Sequence, residues 1–251
     1  LPTGQSRDAL AKVPAGVKVV DIGGDHRLHH EDVTGWTFGL ADLLADKIRA
    51  STRVANPGCY PSAAILALAP LAQAGLLSDG PIIVDAKSGV SGAGRGGGDQ
   101  LGYAEVNENV YGYKPLQHGH EPEIAAALKQ MGAQTQRLAF VPHLIPMTRG
   151  ILATCYATSD ATANDCIQAA RALYSGSPFV RVTSEPPKTK HVQGSNAALL
   201  HFAADPKRGL VVAMAAIDNL GKGAAGQAIQ NANLMLGLDP AAGLTALPLW
   251  P

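Results

Sequence analysis

The stretch Ala55-Asn56-Pro57-Gly58-Cys59-Tyr60-Pro61-Ser62 leaves the backbone few choices. Pro57 and Gly58 fit a sharp strand-to-helix turn, and Pro61 suits the first turn of a helix, where its missing N–H would have no partner anyway. The run that follows, 63–72, is apolar and helix-like, so a lone cysteine sits at the mouth of a helix. Unpaired N–H groups and the positive end of the macrodipole stabilise an anion there, which predicts that Cys59 is more thiolate than a free cysteine. A catalytic nucleophile fits this seat. So, on the cysteine alone, does a small buried hydrophobe.

Around that turn, apolar runs bounded by Gly and Pro alternate with helix-like stretches: a strand over 17–22, a helix near 59–74, a strand over 81–86 and a helix over 122–131 with Glu121 and Glu123 at its start. This alternation reads as α/β. From Arg137 onward the runs are longer and strand-like, at 138–141, 150–158, 179–182, 197–203 and 210–217, with one helix over 163–174 between them. They predict a mixed, largely antiparallel sheet with helices on one face. A small-residue helix over 224–236 and a Pro-rich tail, read as a surface strap, close the chain. The strand at 17–22 has no earlier strand to pair with and the first residue is Leu1 rather than Met, so an N-terminal part is expected to be missing.

Composition narrows the function classes. The 251 residues are 46% hydrophobic and 16% charged, enough for one sizeable core or two small domains sharing an interface. Lys plus Arg equals Asp plus Glu at 20 each, with no basic run, so neither nucleic acid nor a membrane surface is an expected partner. Cys59, Cys155 and Cys166 form an odd set without C-x-x-C spacing, and the 8 histidines include no H-E-x-x-H, so no disulfide framework and no zinc site are indicated. A reducing cytoplasm fits this usage. No apolar segment approaches the roughly 20 residues needed to span a bilayer, and no targeting signal is visible.

Four further features carry chemistry. Gly92-Ala93-Gly94-Arg95-Gly96-Gly97 matches G-x-G-x-x-G after a strand, but Gly98-Asp99-Gln100-Leu101-Gly102 has no helical period, so it is not a dinucleotide turn; it reads as an anion-cradling glycine loop or as a surface loop. Gly221-Lys222-Gly223-Ala224-Ala225-Gly226 does open a helix, too near the chain end for a full dinucleotide site, and can touch one edge of a cofactor. His118-Gly119-His120, with Glu123 near enough to orient an imidazole, is a candidate acid/base pair or an ordinary structural pair. Arg149 is a candidate carboxylate or phosphate clamp, or a solvated loop arginine.

Taken with Asp85-Ala86-Lys87-Ser88-Gly89-Val90-Ser91-Gly92-Ala93-Gly94-Arg95, Glu105-Val106-Asn107-Glu108-Asn109, Pro142-His143-Leu144-Ile145-Pro146-Met147 and Asp218-Asn219-Leu220-Gly221-Lys222-Gly223-Ala224-Ala225-Gly226-Gln227, the Cys59 segment resembles the N-acetyl-gamma-glutamyl-phosphate reductases, in order from near Leu1 to near Gly243. The resemblance implies NADPH-dependent reduction of N-acetyl-L-glutamyl 5-phosphate to N-acetyl-L-glutamate 5-semialdehyde with phosphate release, in arginine biosynthesis, through a thioester on Cys59. It implies Cys59, His118, His120 and Glu123 as catalytic residues, without saying which imidazole is the acid/base. It implies Arg95, Arg149, Ser88 and Gly89 at the substrate, and Pro2, Gly4, Gly92, Asn219, Gly223 and Gly226 at NADP(H). The implied fold is a partial Rossmann-like domain (1–56), a catalytic and dimerisation domain (57–217), and a C-terminal helix and tail (218–251) returning to the first; the implied assembly is a dimer or tetramer. The family's Gly-rich turn after its first strand has no counterpart here. Gly119 and Glu121 stand where an arginine and a threonine are usual, and Asp21-Ile22-Gly23-Gly24-Asp25-His26 is a looser version of its counterpart. Aspartate-semialdehyde or aminoadipyl-phosphate reductases share the thiol chemistry and stay open as alternatives, as does a non-reducing binding or oligomerisation module.

Overall fold

The computed structural model describes residues 4–28, 34–94, 98–133 and 137–249. The N-terminal part runs α1 (Ser6–Leu10), β1 (Val19–Asp21), β2 (Thr37–Phe38), α2 (Ala41–Arg49) and β3 (Arg53–Ala55), and leads into α3 (Cys59–Gln73). Next come β4 (Ile82–Gly89), α4 (Tyr103–Val106), β5 (Tyr111–Gly112), α5 (His120–Gln130), β6 (Leu138–Ile145) and β7 (Ile151–Thr158). The last part holds α6 (Ala163–Leu173), β8 (Val180–Val182), β9 (Ala198–Asp205), β10 (Leu210–Ile217) and α7 (Gly226–Met235).

Period-two apolar runs build a seven-stranded sheet of order β5-β6-β4-β7-β10-β9-β8. Only the β4/β6 and β8/β9 pairs are parallel, so the sheet is mixed and largely antiparallel, as expected. Val84, Phe140, Ala153, Cys155, Leu200 and Ala213 turn to one face and are fully buried. Against that face lie α3, α5 and α6. Every residue of α3 from Tyr60 to Ala72 is buried, which is what a helix apolar on all sides requires. The alternate residues point the other way, where Ile83 and Leu210 are exposed.

Within α3, Pro70 removes the N–H that would bond the Leu66 carbonyl. The hydroxyl of the buried Tyr174, just past α6, donates to that carbonyl at 2.8 Å. The orphaned acceptor is thus satisfied from another helix, and α3 continues through its proline.

The N-terminal strands form a separate parallel sheet of order β1-β3-β2. The first strand, which has no earlier strand to pair with, pairs with a later one, Val19 opposite Arg53 and Asp21 opposite Ala55. Ala41 and Ile48 of α2 meet Val54 of β3 and Leu234 and Met235 of α7 in a second small core. The last helix therefore packs on the first sheet. The tail lies against the 193–194 loop, with the Leu249 N–H bonded to the Gln193 carbonyl. No described helix is long and apolar enough to cross a membrane, and no group of three or more described His, Cys, Asp or Glu residues is placed to hold a metal.

Candidate active site

Cys59 is the first residue of α3, and Gly58 before it is extended at φ −65°, ψ 158°. Glycine is required here for space rather than for φ. A Cβ at Gly58 would stand 2.4 Å from His120 Nε2 and 2.9 Å from Arg27 Nη1. The imidazole and the guanidinium are therefore pressed against the residue that precedes the thiol. The Gly58 N–H donates to Glu123 Oε1 at 3.0 Å, which fixes the turn to the first turn of α5.

Burial outweighs the helix terminus at the thiol. Desolvation pushes Cys59 up to about 11, against the pull of the Tyr60 N–H and the Arg27 charge. The expectation of a thiol shifted toward thiolate is thus corrected in direction: the anion-stabilising groups are in place, but desolvation of the half-buried thiol acts against them and favours the protonated form. Glu123, fully buried, is likewise raised by burial to about 7, with Arg27 and the Gly58 N–H acting in the opposite sense. Its carboxylate bonds Arg27 at 3.4 Å, and Arg27 Nη1 lies 3.2 Å from His120 Nε2. Glu123 thus acts on this imidazole through Arg27. That arginine also reaches the Ile22 and Asn56 carbonyls. It is the candidate site residue that the sequence motifs did not mark.

The His118 and His120 rings lie 4.6 Å apart with their planes tilted by 57°, and Tyr60 is edge-on to both. His118 Nδ1 accepts the His120 N–H at 3.1 Å, so its proton sits on Nε2 when the ring is neutral. Burial first, and then the Lys114 charge, lower His118 to about 4, which keeps it neutral near pH 7. Tyr113 donates to the Tyr60 hydroxyl, which donates to the His143 carbonyl. His118, Tyr113, Lys114 and Gly92 line a 410 Å³ cavity.

Arg149 and Asn219 meet at the end of β10. Buried Asp218 takes the Arg149 fork through Nε and Nη2 and also accepts the N–H groups of Gly194, Leu220 and Gly221. Arg149 is thus anchored, with 32% of its side chain still exposed. Asn219 accepts from the Gly150 N–H at 2.7 Å and donates to Ser91 at 3.0 Å. Ser88 bonds the Gly89 carbonyl, while Gly89 lies against the Thr148–Arg149 backbone, where a Cβ would come within 2.7 Å. At Gly223 a Cβ would stand 2.9 Å from that of Cys59. Gly226 is packed within the fold, its Cα facing Asn196 and the Gly221 carbonyl. Gly4, at φ 90°, bonds Asp25 with open space on its Cβ side. Pro2 and Arg95 lie outside the described residues.

The family described as "Semialdehyde dehydrogenase, dimerisation domain" matches residues 59–219. Among solved structures, aspartate semialdehyde dehydrogenase II from Vibrio cholerae superposes with a TM-score of 0.68 at 18% identity, over 92% of this chain and 76% of that one. The aspartate semialdehyde dehydrogenase from Francisella tularensis gives 0.64 at 14%, over 86% and 74%. These show the fold. Curated relatives named N-acetyl-gamma-glutamyl-phosphate reductase are 58% identical in Bradyrhizobium sp. strain BTAi1 and 55% in Methylobacterium sp. strain 4-46, each across all of this chain and 76% and 77% of the relative. The counterpart in Geobacillus kaustophilus is 45% identical over all of this chain and 78% of its own length. The chain belongs to the N-acetyl-gamma-glutamyl-phosphate reductase family.

Proposed function

We propose that this chain catalyses the reaction for which its relatives are named, converting N-acetyl-L-glutamyl 5-phosphate to N-acetyl-L-glutamate 5-semialdehyde and phosphate, with NADPH as the nicotinamide cofactor, in L-arginine biosynthesis in the cytoplasm. The observation that carries this reading is the seat of Cys59: a helix N-terminus flanked by Arg27 and the His120 imidazole at Gly58. The thiol, protonated at rest, gives its proton to His120 as sulfur bonds to the acyl carbon and the bond to the phosphate oxygen breaks. Arg27 and the α3 N-terminus face the sulfur while it carries charge. His120 returns the proton when the thiol is released at the end of the cycle. Arg149, stiffened by Asp218, holds the substrate's phosphate or carboxylate together with Arg95, and Ser88 and Gly89 shape the backbone beside it. His118, with its proton on Nε2, is a donor at the cavity wall.

The residues present fit the nicotinamide end of the cofactor. Gly223 offers bare backbone, and a side chain there would fill the space beside the thiol. Pro2, Gly4, Gly92, Asn219, Gly223 and Gly226 are the proposed contacts. When bound, NADPH supplies the hydride that takes the acyl group to the aldehyde level. We assign residues 1–56 to a partial cofactor domain, 57–217 to catalysis and dimerisation, and 218–251 to the return of the chain to that domain. The matched family is a dimerisation domain, which supports a homo-oligomer, and the uncovered face of the large sheet, with Ile83 and Leu210 exposed, is the proposed contact in a dimer or tetramer.

The test is NADPH oxidation and phosphate release on adding N-acetylglutamyl phosphate, with Cys59→Ser in parallel. Matched consumption of NADPH and release of phosphate, both lost in the variant, is expected. Phosphate release without NADPH oxidation would reduce the chain to a non-reducing module, and turnover only with aspartyl or aminoadipyl phosphate would reassign the substrate.

A further inference from the structure

Between β10 and α7 the chain makes a π-turn, Gly221–Ala225, a rare geometry that recurs at functional sites. Two neighbouring residues of this turn do different things. The backbone of Gly223 closes over Cys59, so tightly that a Cβ there would stand 2.9 Å from the Cys59 Cβ and 3.3 Å from its Cα. Lys222 plunges the other way and is 0% exposed. Its ammonium bonds Asp42, on the first turn of α2, and Gln230 Oε1 of α7, and lies 5.5 Å from the centre of the Phe179 ring. Asp42, equally buried, also accepts from Ser177 at 2.6 Å and from Gln230. One ion pair therefore ties together the small sheet's helix, the loop after α6 and the turn over the thiol.

Such a pair is a poor source of stability, because desolvating two charges offsets most of their attraction; well-packed apolar residues of similar volume often do as well or better. What an ion pair held in a set of directional hydrogen bonds, with Gln230 bonded to both members and Ser177 to Asp42, does supply is registry. We propose that Lys222 and Asp42 are positioning residues that clamp the π-turn against Cys59, setting how far the thiol is shut in and where the cofactor-binding backbone at Gly223 stands relative to it. The clamp acts from the side of the turn opposite the chemistry and touches neither the sulfur nor the substrate. This inference rests on the reading of Cys59 as the nucleophile.

The test needs no substrate or cofactor, so it fails separately from the proposed function. The full chain and its Lys222→Met and Asp42→Leu/Lys222→Met variants are treated with iodoacetamide at pH 8, and each cysteine's alkylation is followed by peptide mass spectrometry. Cys155 and Cys166 are fully buried and report loss of the fold. With the clamp gone, Cys59 is expected to react at least about tenfold faster while Cys155 and Cys166 stay silent, because a less enclosed thiol ionises more readily. A merely structural pair would expose all three cysteines together. The proposal is overturned if Cys59 keeps its wild-type rate in a variant whose other cysteines are silent. It is equally overturned if all three cysteines react in both variants, since the pair is then a folding determinant only.

Discussion

At Glu123, the folded chain shifts an ordinary carboxyl from 4.5 to about 7, chiefly by burying it, with Arg27 and the Gly58 N–H pulling back. An unfolded chain gives up this proton near 4.5, whereas the folded chain holds it until about 7. The protonated form thus favours folding: its contribution is complete below 4.5 and is lost as pH rises through about 7. At 1.36 kcal/mol per unit, wild type should lose about 3 kcal/mol relative to Glu123→Gln over that window, read by denaturant unfolding at a series of pH values. A difference that does not move with pH would contradict the burial assigned here. The seat of Cys59 at a helix start and the closeness of Glu123 to an imidazole were legible in the sequence because turn chemistry and short spacing are local, whereas the roles proposed for Cys59, His118, His120 and Glu123 came from the family resemblance. Arg27 was not, since it meets Glu123 across 96 residues of chain. The state of the thiol was half legible: a helix N-terminus can be read from Gly58 and Pro61, but burial is a property of the whole fold.

Among the elements, α3 is buried from Tyr60 to Ala72 and meets its proline with a tyrosine from elsewhere. Tyr174→Phe keeps the ring and removes the hydroxyl, leaving the Leu66 carbonyl buried without a donor, so a loss of about 1–3 kcal/mol in stability is expected with Cys59 chemistry unchanged. A thermal melt of the variant indistinguishable from wild type would mean that Leu66 finds another donor. The eight-residue strands β4, β6, β7, β9 and β10 were legible because their alternation is long enough to have a period. β2, β3 and β5, of two or three residues, have none. The spacing of Leu44 and Ile48 on α2 is broken by a kink at Leu44, φ −127°, and that helix was missed. α5 begins at His120 rather than at the expected residue 122, which draws the imidazole into the first helical turn beside Glu123.

Across the whole molecule, the thiol lies at the joint between two sheets. β3 of the small parallel sheet feeds α3 of the large one, α5 brings His120 and Glu123 to the joint, and the turn before α7 closes over it. No single segment holds the site, which is why motifs spread from Gly58 to Gly223 converge there. The central claim is that Cys59 takes the acyl group from the phosphate. The most direct measurement is the intact mass of the chain after mixing with N-acetylglutamyl phosphate in the absence of NADPH, followed by peptide mapping. The account predicts one added N-acetylglutamyl group, on Cys59, released by hydroxylamine and absent in Cys59→Ser; phosphate release with no adduct, or an adduct on another residue, would contradict it.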